Sequence, residues 1–113
     1  MPATEIDKII TKYAKYNIGE FSQETIRIHV LFTKQLFKYL DKPIFEVTPE
    51  DINRWIEWLF INNYSKAGIR KRVWAILAFF NWCIIKKFLF DNPCADIPRF
   101  KSLNKKYLTE RIE

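Results

Sequence analysis

Apolar residues recur at helical spacing in four stretches of this chain, and short polar or proline-containing breaks separate them. The first stretch runs to about Tyr16, with Ile6, Ile9, Ile10 and Tyr13 on one stripe and Thr4 as its candidate N-cap. Asn17 to Phe21, with Gly19 inside, ends it. Ser22 opens a second helix to about Leu40, in which Ile26, Val30, Thr33, Phe37 and Leu40 are expected to face inward. Asp41-Lys42-Pro43 stops it. Thr48-Pro49-Glu50-Asp51 is the clearest start signal: a capping hydroxyl, Pro at the first helical position and two carboxylates near the positive end of the dipole. That third helix carries Ile52, Trp55, Ile56, Leu59 and Phe60 and ends at Asn62-Asn63.

Ser65 caps the fourth and longest predicted helix, which extends to Lys86 or Lys87, roughly 33 Å. Asn92-Pro93 then starts a short turn through Ile97, and Arg99 to Lys106 is basic and non-periodic, as a linker is. The pattern predicts an all-α fold of four to five helices. Only two Gly residues and a 17% share of aromatics agree with helices joined by short connections around a ring-rich core. At 113 residues the chain can bury about two-thirds of its unfolded surface as one domain. Cys83 and Cys94 show no metal-ligand spacing and are expected to be reduced thiols. No apolar run approaches the roughly 18 residues that span a membrane, so a cytoplasmic protein without membrane contact is expected.

Charge changes the picture. Met1 to Asn62 carries eight Lys or Arg against nine Asp or Glu; Asn63 to Glu113 carries eleven against four. The whole excess of +6 therefore comes from the second half, threaded through the fourth helix and the linker. On a helical wheel Ile69, Val73, Ile76, Phe80, Cys83 and Ile84 form the core face, with Leu77 at its edge. Opposite lie Ala67, Lys71, Ala75, Ala78 and Trp82, flanked by Arg70 and Trp74. Small residues let a helix sit deep in a groove, while edge cations reach phosphates. The same strip also suits packing against another helix, with its cations merely solvated. The second helix adds Arg27, Lys34, Gln35 and Lys38 at successive turns, a face that pairs with the fourth helix in straddling a duplex or is a solvated surface.

These residues carry a family resemblance. Ser22-x-x-Thr25-Ile26, the apolar positions to Leu36 and Leu40, and Thr48-Pro49-Glu50-Asp51-Ile52 resemble the N-terminal core-binding (SAM-like) domain of tyrosine recombinases, the phage-integrase family. The similarity continues through Ser65-x-x-Gly68-Ile69-x-x-Arg72-Val73-x-Ala75-Ile76-x-x-Phe79-Phe80-x-Trp82, Asn92-Pro93 and Leu108-Thr109-Glu110. It spans Phe21 to Glu113, with His29 where the family often has Tyr and Gly68 where it often has Thr. The resemblance implies an orthogonal helical bundle that clamps double-stranded DNA together with a catalytic domain of the same chain, alongside other recombinase protomers. It implies DNA contacts from Lys66, Arg70, Lys71 and Trp74 on the fourth helix, from Arg27 and Lys34 on the second, and from Lys101, Lys105 and Lys106 in the linker. It divides the chain into an N-terminal helix and connection (1–20), the bundle (21–98), and a linker with the start of a catalytic domain (99–113).

Catalysis is not expected in this segment. Covalent phosphodiester cleavage needs a nucleophile, an acid or base, and cations on the phosphate. The family's Arg, Lys, His-x-x-Arg and Tyr set belongs to the catalytic domain. The lone His29 has no Arg three residues on and reads as a packed or surface residue. No cofactor, metal cluster or phosphate loop is expected. The chain ends where the catalytic module would begin, so an excised domain of a longer recombinase is expected, with a small DNA-binding protein of the same fold as the alternative. Two other functions compete: a protein-interaction module anchored by Trp58, Trp74 and Trp82, and a helix-turn-helix regulator, against which the length of the last helix argues.

Overall fold

Three of the four helices among the described residues start at the hydroxyl caps that the sequence marks. In the computed structural model, which describes residues 2–94 (side chains from residue 5), α1 spans Pro2–Tyr16, α2 Gln23–Leu40, α3 Pro49–Ile61 and α4 Lys66–Ile85. Ser22 Oγ accepts from Thr25 N–H at 3.1 Å, Thr48 Oγ1 from Asp51 N–H at 3.2 Å, and Ser65 Oγ from Gly68 N–H at 3.0 Å. At Thr48 the cap is reciprocal, since Asp51 Oδ2 accepts from the Thr48 N–H at 3.0 Å and from Lys42 Nζ at 2.9 Å. Burial pulls the Asp51 carboxyl upward, but the Lys42 and Thr48 hydrogen bonds outweigh it and hold the group below its ordinary value.

The first helix departs from expectation at its start. Pro2 already lies in the helix, where a missing N–H costs nothing, so Thr4 is an internal residue and not the cap. A 3₁₀ turn, Ile44–Glu46, also unforeseen, drops Ile44 into the core between α2 and α3. Gly19, at φ 97°, turns the chain from α1 into α2 in a region where a Cβ is strained. Asp41 closes α2 in the left-handed conformation, its N–H donating to Phe37 O at 2.9 Å.

Among the described residues the fold is all-helical, with no β-strand. α2 packs chiefly on α4 and on α1, and α4 rests also on α3. One apolar core takes Ile6, Ile9, Ile10 and Tyr13 from α1, Leu36 and Phe37 from α2, Ile52, Trp55, Ile56 and Leu59 from α3, and Ile69, Val73, Ile76, Phe79, Phe80, Trp82 and Cys83 from α4. The stripes of α1 and α3 fall as the periodicity predicts. On α2 the buried positions are His29, Thr33, Leu36 and Phe37, while Ile26, Val30 and Leu40 are half-buried. α1 is thus part of the bundle's own core.

That docking corrects the reading of α4. Ala75 is fully buried and Trp82 is only 6% exposed, although both were expected on the outer strip. The rings of Tyr13 and Tyr16 from α1 pack on Trp82 at centroid distances of 5.4 and 6.1 Å, and Phe88 closes over it at 5.4 Å. α4 buries more than half its circumference because three elements surround it. The alanines in its middle serve partly as packing surface, and Trp82 is not an exposed anchor.

Beneath this layer, Tyr13 Oη and His29 Nδ1 share a hydrogen bond of 2.8 Å. Burial pushes the Tyr13 hydroxyl up and the His29 imidazole below its ordinary 6.5. A neutral His29 in the folded state means that the unfolded chain binds the extra proton as pH falls below about 6.5. Stability should therefore drop between pH 7.5 and 5.5, and His29→Leu should flatten that slope when urea midpoints are compared at the two pH values. An unchanged slope in His29→Leu contradicts the assignment. Cys83 and Cys94 are buried free thiols, Cys83 pushed up to about 12 by burial, so both stay protonated and unreactive at neutral pH.

Candidate nucleic-acid interface

The cations of α4 sit at its N-terminal end because the helix turns its apolar arc inward from Ile69 onward. Lys66, Ala67 and Lys71 are exposed, and Arg70, Trp74 and Ala78 are half-buried on the same outward arc. Asn81 and Ile85 continue that arc beyond them, where it carries no charge. No carboxylate occurs in the sequence between Glu57 and Asp91. The helix dipole adds partial positive charge at the same end. The result is a cationic patch over the first two to three turns, shorter than the whole-helix strip expected from the wheel.

Arg72 points the other way. Its guanidinium stacks between the rings of Phe32 and Tyr64, 4.4 and 4.6 Å from their centroids. Its Nε donates to Gln35 Oε1 at 3.3 Å, and its Nη1 donates to Gly68 O at 3.1 Å. Burial lowers the guanidinium's pKa, though a guanidinium stays charged at any physiological pH. Arg72 therefore fixes the start of α4 against α2 and the α3–α4 turn, a positioning role that the wheel did not reveal. The only sign of it in the chain is a cation at the edge of an apolar arc; its two aromatic partners are brought to it by the fold. Gly68 belongs to the same device, since a Cβ there would stand 3.1 Å from Ser65 Oγ and 3.5 Å from Arg72 Nη1.

The contribution of α2 is rearranged. Gln35 joins Arg72 and so lies on the flank facing α4. Lys34 and Lys38 open onto a cleft of about 340 Å³ between α1 and α2, lined also by Ile6, Asp7, Phe37 and Asp41. Arg27 pairs within its own helix with Glu24, Nε to Oε2 at 3.2 Å, so its charge is partly offset at the surface. The side chains of α2 expected to share a duplex with α4 are thus split between two flanks. Lys66, Arg70, Lys71 and Trp74 stay together on one outward arc. Lys101, Lys105 and Lys106 lie outside the described residues, as does the end of the turn after Asn92. At the start of that turn Asn92 Oδ1 accepts from Cys94 N–H at 2.8 Å, a local cap of the expected kind.

Compared with family profiles, curated proteins and solved structures, the chain finds no match in any of the three.

Proposed function

We propose that this domain binds double-stranded DNA and acts as the core-binding module of a site-specific tyrosine recombinase. In that role it holds duplex in register for a catalytic domain of the same polypeptide and for neighbouring protomers. The observation that carries the DNA reading is the exposed Lys66 and Lys71, grouped with Arg70 at the start of α4 in a stretch free of carboxylates. The recombinase assignment rests on the order of motifs from Ser22 to Glu110.

The mechanism is electrostatic first and geometric second. Lys66 and Lys71 displace counterions from phosphates on either side of a groove. Ala67 between them adds little bulk, which lets the first turns of α4 approach the duplex closely. The C-terminal half of α4 stays in the core and acts as a rigid mount, because Trp82, Phe79 and Cys83 are buried under α1 and α2. Phosphate contacts fix position and carry no sequence information, so binding is expected to be weak and non-specific in the main, with a dissociation constant of roughly 10⁻⁴ to 10⁻⁶ M at physiological salt.

Lys66→Ala with Lys71→Ala should lower duplex affinity about tenfold at low salt and make the log–log salt dependence shallower by about two. Both side chains are exposed, so the fold should remain intact. Fluorescence anisotropy with a labelled duplex at two salt concentrations checks this. Equal binding by parent and variant would remove the patch from the interface. A protein-interaction role draws support from the exposed Trp58, Phe60 and Ile61 on α3, and it predicts binding indifferent to salt.

A further inference from the structure

Beside the cationic patch, three aromatic rings from three elements converge on one open pocket. Tyr39 of α2 meets Trp58 of α3 at a centroid distance of 5.5 Å, and Trp58 meets Tyr64 of the α3–α4 turn at 6.1 Å. The pocket they line holds about 310 Å³, with Leu59 and Trp55 at its base and Gln35 and Lys38 on its rim. That is the lower end of the range of about 300–1,000 Å³ for sites that take small planar molecules. All three rings keep more than a third of their surface open, with exposures of 40%, 39% and 36%. The core does not need those faces.

Three features select the occupant. The walls are aromatic, which favours a flat π-system over an aliphatic side chain. The rim carries the Gln35 amide and Lys38, which also borders the α1–α2 cleft, with no carboxylate among the lining residues, so an anionic group is tolerated at the mouth and a cationic one is not favoured. Tyr64 immediately precedes the Ser65 cap, with Lys66 following it, and its ring stacks on Arg72. The pocket thus opens beside the phosphate-binding end of α4.

We propose that the Tyr39–Trp58–Tyr64 pocket receives one unpaired nucleobase of DNA held by α4, stacking it on the rings while the adjoining phosphate meets Lys66. The pocket rests on the DNA-binding reading and deepens it. It makes the domain a sensor of unstacked bases: a bulged or extrahelical nucleotide is captured, whereas a fully paired duplex meets only the cations. Gln35, held in place by Arg72, presents its remaining amide donors toward the edge of the base. Stacking is tolerant of base identity, so little preference among the four bases is expected.

The test compares a duplex containing a single-nucleotide bulge with the same duplex fully paired, by anisotropy at fixed salt. The parent domain should bind the bulged duplex about tenfold more tightly, the scale of one base stacked on aromatic rings. Trp58→Ala should abolish that preference and leave paired-duplex affinity unchanged. Tyr39→Ala, at a more peripheral ring, should do the same to a lesser degree and guards against a folding defect in the first variant, as do circular-dichroism melts of both. Lys66→Ala with Lys71→Ala should weaken both duplexes and keep their ratio. Equal affinity of the parent for the two duplexes overturns the base pocket while leaving the DNA reading in place. So does a preference that survives in both aromatic variants, and so does an aromatic peptide that fills the pocket without affecting DNA. Failure to bind either duplex at low salt overturns both readings.

Discussion

Replacing Phe79 with Ala should cost about 3–5 kcal/mol, a large share of the about 5–15 kcal/mol that holds a domain of this size together. Phe79 is fully buried, and its ring meets those of Tyr13, Phe37, Phe80 and Trp82 at centroid distances of 5.5, 6.2, 5.6 and 6.3 Å. These neighbours come from α1, α2 and α4 itself. Truncation therefore removes apolar burial and leaves a cavity where three helices meet, with little freedom to collapse. Phe79→Leu, which keeps much of the volume, should lose clearly less. Urea unfolding of the three proteins is the check. A loss under about 1 kcal/mol for the alanine variant contradicts the account of how α1 is docked.

Arg72→Ala should cost about 2–3 kcal/mol, large for a cation that is not fully buried. Stacking over Phe32 and Tyr64 and the bonds to Gln35 and Gly68 O are lost together, leaving the Gln35 amide without this partner in a half-buried position. The chemistry is specific to a planar guanidinium. Lys at this position keeps the charge but has no flat face to fit between two rings and no fork to reach both acceptors, so Arg72→Lys should recover little of the loss. Full recovery in the lysine variant would mean that charge alone matters there. Because Arg72 mounts the first turns of α4, the alanine variant should also weaken DNA binding, although Arg72 itself faces inward.

The two substitutions mark where the sequence was readable and where it was not. The caps at Ser22, Thr48 and Ser65 were legible because each is satisfied within three residues by its own helix. The inward stripes of α1 and α3 were legible because one side of each helix meets the core. α4 was not, because how much of a helix is buried depends on how many neighbours it has, and periodicity counts faces but not neighbours. Ala75 and Trp82 stand on the arc opposite Ile69 and Val73, yet α1 and Phe88 reach round to cover Trp82. Ser65, Arg72 and Gly68 stood in the motif from the start. That Arg72 folds inward on two rings depends on Phe32, some forty residues earlier, and on Tyr64, which only the tertiary fold brings beside it.

The same distinction explains the candidate interface. Lys66, Arg70, Lys71 and Trp74 remain on one arc because they belong to one helix, and helical geometry alone settles their neighbourhood. Arg27, Lys34 and Gln35 were joined to them across two helices on the strength of spacing. The structure sends Gln35 toward Arg72 and Lys34 toward α1. Stacking of Tyr39, Trp58 and Tyr64 lay beyond reach for the same reason, since the three rings come from three elements.

The central claim is that the first turns of α4 are the surface that meets DNA. Titrating a short duplex into ¹⁵N-labelled protein at low salt and mapping the amide shifts tests it most directly. The largest changes are expected at residues 65–75, fading as salt rises, with shifts around Tyr39 and Trp58 only when the duplex carries an unpaired base. Shifts confined to the α1–α2 cleft around Lys34, or a spectrum that duplex leaves unchanged, would contradict it.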